Sequence, residues 1–143
     1  MTTPLSVTTP RVQVLTDWLT LAGWDATQES GYPLYPGPEI LTEPDQAVFL
    51  TPTGGPGYTT EEGATDAWSF QARLRGPSDD PLAAQAAAGL LDWTILSGPH
   101  PVQVDGVNVL NVQRLGAPPS ALPLDPADRR FEYVANYILT TGA

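Results

Sequence analysis

The stretch DAWSFQARLRGPSDDPLAAQAAAGLLDWTILSG, residues 66–98, contains the change of period that decides the fold class. Trp68, Phe70, Ala72 and Leu74 alternate with Ser69, Gln71, Arg73 and Arg75. A period of two predicts a strand with one buried face and one wet face. Gly76 and Pro77 are expected to end it, because proline cannot donate to a ladder. Asp79 or Asp80 then offers a cap for free N–H groups, and Pro81 suits a first helical turn, so a long amphipathic helix follows. Trp93, mid-helix beside Asp92, is expected to pack. A strand that turns sharply into a helix is scaffold, and nothing in it is obviously catalytic.

Working outward, 143 residues predict one domain, 1–143, with a core large enough to need no staples. Residues 1–9 are polar and Thr-rich and read as a flexible arm. Pro10 opens a helix reaching about Ala22, with Val12, Leu15 and Leu19 at helical spacing, Trp18 widening the stripe and Gly23 as the stop. Trp18 and Trp24 read as core anchors. The Pro/Gly/Tyr-rich run from Asp25 to Pro44 reads as a surface connection, since Pro33, Pro36 and Pro38 forbid a long helix or a central strand. Gln46–Thr51 reads as the first strand. It is linked to the strand beginning near Asp66 by a Gly-rich, acidic loop, residues 54–66, at the tip of an extended hairpin.

Beyond the helix, Val102–Val104 and Val107–Leu115 are β-branched and are split by Asp105-Gly106, a two-residue turn signal. Residues 116–128 read as a Pro-rich connector, and Arg129–Thr141 as a last strand. Its apolar residues on both faces suit a central position. The expected architecture is α+β: an antiparallel sheet with two helices packed on one face.

The composition narrows the chemistry. Sixteen acidic residues face six basic ones, all of them Arg, for a formal charge of −10. That balance argues against binding nucleic acid by phosphate neutralisation. Cysteine is absent, which removes disulfides and thiolate metal sites. No apolar run reaches the roughly 20 residues of a membrane span, and the first residues have neither a basic leader nor an apolar core, so no signal peptide is expected. Glu61, Glu62 and Asp66 lack the spacing of a calcium loop. GGPG at 54–57 lacks the Lys-Ser/Thr ending of a phosphate loop. His100, the sole histidine, sits between two prolines without a companion ligand. Asp79-Asp80 reads as capping, not as a catalytic carboxylate pair. No catalytic residue, metal or cofactor is assigned, and no enzymatic activity is expected.

Three segments, PRVQVLTDWLTLAG (10–23), FQARLRGPSDDPLAAQAAAGLLDW (70–93) and GVNVLNVQRLGAPPSALPLDPADRRFEYVANYILT (106–140), occur in an order that resembles the tail terminator, or tail-completion, proteins of tailed bacteriophages. These are often labelled minor capsid proteins in actinobacterial phages. The resemblance is one of pattern, carried by no single motif, and it leaves out residues 31–38. It implies a structural virion protein: a homohexameric ring that caps the tail tube and joins it to the head connector, or stopper, while DNA passes through the lumen without specific binding. Its partners would be its own copies, the tube protein and the connector, with no membrane, and its place the virion, after assembly in the host cytoplasm. An acidic lumen suits sliding DNA. On this reading Arg73, Arg75, Arg129 and Arg130 are candidates for ion pairs between subunits, and Tyr58, Glu61, Glu62 and Asp66 for a loop that meets a neighbour or the lumen. The alternatives are another connector or tube protein, or a non-viral acidic binding domain.

Overall fold

The computed structural model describes residues 10–24, 32–36, 46–54, 65–124 and 129–142. In chain order they form α1 (Arg11–Leu21), β1 (Leu34–Pro36), β2 (Ala47–Gly54), β3 (Thr65–Ser78), α2 (Pro81–Leu96), β4 (Val102–Val104), β5 (Val107–Ala121) and β6 (Arg130–Gly142). The strands make one six-stranded sheet in the order β1-β2-β3-β6-β5-β4. The fold is α+β, as the change of period predicts.

The alternation of β3 sets the layers. Trp68, Phe70, Ala72 and Leu74 are all buried, and with Val48 and Leu50 of β2, Tyr137 and Leu139 of β6 and Val109 and Val112 of β5 they form the floor of the core. Val14, Leu15, Trp18 and Leu19 of α1 and Ala88, Leu91 and Ile95 of α2 close it from the same side. β6 is central, flanked by β3 and β5, which explains its apolar residues on both faces. Trp18 and Trp24 are anchors: their indole N–H groups donate to the carbonyls of Pro99 (2.9 Å) and Tyr32 (3.0 Å). Gly23, at φ +106°, stops α1.

Several local expectations are corrected. β3 does not end at Gly76-Pro77. It continues to Ser78 because the ladder with β6 skips from Arg75↔Glu132 to Ser78↔Arg130, so the missing proline donor falls in the irregularity. Gly76 also faces α2, where a Cβ would lie 2.9 Å from Ala84 Cα. The segment around Tyr35 is a short edge strand preceding Gln46–Thr51. β1 pairs parallel with β2, the exception in an otherwise antiparallel sheet, and an edge place is one that proline tolerates. The first part of the 116–128 connector belongs to β5, which re-pairs with β6 after a shift between Leu115 and Ser120. A second shift between Val109 and Asn111 returns Val112 to the core face with Val107 and Val109. Asp105 (φ +51°) and Gly106 (φ +78°) make the tight β4–β5 turn that their sequence announces.

Of the two candidate caps, Asp80 caps α2, its Oδ1 accepting the Ala83 N–H at 3.1 Å, with Pro81 in the first turn. Asp79 instead adopts φ +58° and pairs with Arg129.

Candidate functional site

The polar side chains between the layers act as clamps. Asp92, the one charged residue of α2, turns toward the sheet. It accepts the Tyr137 phenol at 2.8 Å and an Arg114 guanidinium N–H, so α2 is tied to β6 and β5 at one point. Burial, and then the hydrogen bond to Asp92, push the Tyr137 phenol well above its ordinary range. The Tyr137 ring stacks on Phe70 at 5.4 Å. At the far end of the sheet Asp66 accepts from Arg11 at 2.9 Å and from the Trp68 indole, fastening α1 to β3. The Arg11 guanidinium lies 5.0 Å over the Trp68 ring.

These clamps locate the residues singled out from sequence. Asp66 is a correction: it is a buried residue of β3 and not part of an exposed loop. Tyr58, Glu61 and Glu62 lie outside the described residues. Arg73 donates from Nε to Glu132 within the same chain at 2.6 Å. Arg75 is buried, its guanidinium 5.3 Å from the Phe49 ring, which corrects the wet face expected for it. Arg130 opens β6 opposite Ser78. The Arg129–Asp79 pair is exposed on both sides, with side chains 53% and 63% accessible. The ladder register brings Arg73, Arg75 and Arg130 to one face of the sheet, around Glu132 of β6.

The outer face of α2 departs most from expectation. Trp93 does not pack inward: it is 68% exposed, with Leu82 at 75% and Leu90 at 56%. The helix phase explains it, because Ala84, Ala88, Leu91 and Ile95 occupy the inward stripe and leave Leu82, Ala86, Leu90 and Trp93 outside. Leu90 and Trp93 form one wall of an open apolar groove of about 350 Å³, whose other wall is Gly23, Trp24 and Tyr32 beyond the end of α1. Leu21, the last residue of α1, is also 56% exposed. An exposed apolar face of this kind marks contact surfaces in soluble proteins.

Among the described residues no group of three or more His, Asp or Glu side chains is placed to hold a metal. His100 Nδ1 lies 2.9 Å from the Gly98 carbonyl, a local turn contact.

No family model and no curated protein matches the sequence. Among solved structures, a chain of the virion of a native gene transfer agent particle shares this fold. The two superpose with a TM-score of 0.65 at 16% sequence identity, over 91% of this chain and 96% of that one. At that identity the likeness is one of fold.

Sequence reasoning missed the Asp92–Arg114–Tyr137 clamp, because residues 22 and 45 positions from Asp92 meet only through strand register. It also missed the outer face of α2. A signal for that face was present: between Asp80 and Ser97 the chain carries one charged residue, and the positions that face outward carry none.

Proposed function

We propose that this chain is a structural protein of a phage-like virion and acts as its tail terminator, a ring that closes the tail tube and joins it to the head connector. The observation that carries the reading is the near full-length fold likeness to a gene transfer agent virion chain, at 91% and 96% coverage. It agrees with the resemblance borne by residues 70–93 and 106–140, which rests on sequence pattern alone. The net charge of −10 supports the same reading, since a ring of acidic subunits gives DNA a lumen to slide through. In such a ring the exposed Arg129–Asp79 pair is placed to exchange partners with the next subunit, with Arg130 beside it. Arg73 and Arg75 act through the subunit's own sheet, shaping the face they line.

Electron microscopy of the purified protein and of virions carrying a tagged copy tests this. Rings at the junction of tail and head are expected. Stacked tubes would assign the chain to the tube instead, a place on the portal side would make it a stopper, and absence from the virion would refute the structural role.

A further inference from the structure

The outer face of α2 is unusual in a chain so strongly charged. Its outward positions run Pro81, Leu82, Gln85, Ala86, Gly89, Leu90 and Trp93, without a single acid or base. The helix's one carboxylate, Asp92, is withdrawn under it and satisfied by Arg114 and Tyr137. We propose that this face, with the groove between Trp93 and Trp24, is the surface on which a second copy of this chain seats; the inference rests on the ring assembly proposed above.

Charge selects the occupant. Two copies at −10 repel one another, so the contact that costs least runs through a face that, among the described residues, carries no exposed carboxylate. A basic partner would gain nothing from the uncharged outer face of this helix. The ends of the patch fit as well. Just before its first turn stand Asp79 and Arg129, an exposed pair carrying both signs, the kind of rim on which identical subunits can exchange charges. The centre supplies a large aromatic anchor beside an apolar groove, the composition of an interface hot spot.

The chain reports on its own assembly. Of its four tryptophans, Trp18, Trp24 and Trp68 are buried at 1%, 7% and 1% exposure, so the quenchable fluorescence belongs to Trp93. The full-length protein, the double variant Leu90→Glu/Trp93→Glu and the milder Trp93→Ala are compared by native mass spectrometry, by sedimentation over a range of concentrations and by iodide quenching. Circular dichroism serves as the check on folding. Both residues are exposed in the subunit, so the variants are expected to fold. Assembly of the wild type with loss of quenching, together with monomeric Leu90→Glu/Trp93→Glu and self-association weakened about 30-fold in Trp93→Ala, is the expected result. If the wild type forms rings and the double variant forms them equally well, this surface is wrong and the ring reading stands. If the wild type stays monomeric at every concentration and virions show no ring of it, the ring reading fails, and this inference with it. Protection of Trp93 only on adding another virion protein, with the chain itself monomeric, would overturn the second copy as occupant.

Discussion

Replacing Tyr137 by Phe tests the clamp that holds α2 to the sheet, and it does so with one atom. The ring and its stacking on Phe70 are kept, and only the hydroxyl that donates to Asp92 at 2.8 Å is removed. A hydrogen bond to a charged acceptor contributes about 1.5–3 kcal/mol. Asp92 keeps Arg114 and is 15% exposed, so water can take part of the vacated site, and a loss of about 1.5 kcal/mol at pH 7 is expected. The same hydroxyl predicts a pH dependence. Burial and Asp92 hold the folded-state phenol protonated well above its ordinary value, whereas in the unfolded chain it ionises near pH 10. Above that pH the unfolded state binds fewer protons than the folded one, so the wild type loses about 1.4 kcal/mol per pH unit from this residue. The variant has no such loss. Its deficit should therefore shrink as pH rises above 10, and the two proteins should be equally stable at about pH 11. Urea unfolding followed by tryptophan emission between pH 7 and 11, at one low protein concentration, reads both effects. Equal stability at pH 7, or a deficit that stays constant to pH 11, would refute the clamp as described.

Three further perturbations probe the scaffold. Gly76→Ala drives a methyl against the α2 backbone at Ala84 and should cost about 1–3 kcal/mol by overpacking, visible as a lower urea midpoint with an unchanged slope. Asp80→Ala removes the α2 cap and should cost about 1 kcal/mol in the same titration, while Asp79→Ala, whose carboxylate meets Arg129 in solvent, should cost less. Asp105, in the β4–β5 turn, faces Asp17 of α1, and the hydrogen bond between the two carboxyls raises its pKa. The folded state thus holds the Asp105 proton more tightly than the unfolded one, and stability falls as pH rises through the folded pKa. Asp105→Asn, which tolerates the positive φ of the turn, should raise the melting temperature at pH 7 and leave it unchanged near pH 3; a gain of equal size at both would show that the carboxyl pair is not its source.

Much of the fold was legible because local signals agreed with the global arrangement. Alternation in 68–75, the Asp80-Pro81 start, the Gly23 stop and the Asp105-Gly106 turn each depend on a few neighbouring residues. What was not legible depends on irregular register. The ladder skips at Gly76-Pro77 and at 116–119 turn strand where proline and glycine suggested connection, and the skip at Leu110 decides which valines reach the core. Arg75 reads as a wet-face residue by alternation, yet it is buried beside Phe49 because the second face of the sheet is itself partly covered there. The Asp92–Arg114, Asp92–Tyr137 and Arg11–Asp66 clamps join residues 22, 45 and 55 positions apart and have no local signature at all.

The α2 helix shows why the scaffold and the proposed surface are one problem. A helix on the outside of an acidic subunit would ordinarily turn charge to water and aromatic area to the core. This one does the reverse, with Asp92 inward and Trp93 outward. Turning Asp92 inward has a visible structural reason, because it bonds two strands to the helix at once. Turning Trp93 outward has none among the described residues: its ring forms part of the wall of an open groove. The two orientations are coupled by sequence adjacency, since neighbours on a helix point about 100° apart, but adjacency alone does not require an aromatic residue at 93. A polar residue there would serve the clamp equally well. The cost of exposing Trp93 is offset when something apolar covers it, and that is why the proposed seat of a second copy is centred on this residue.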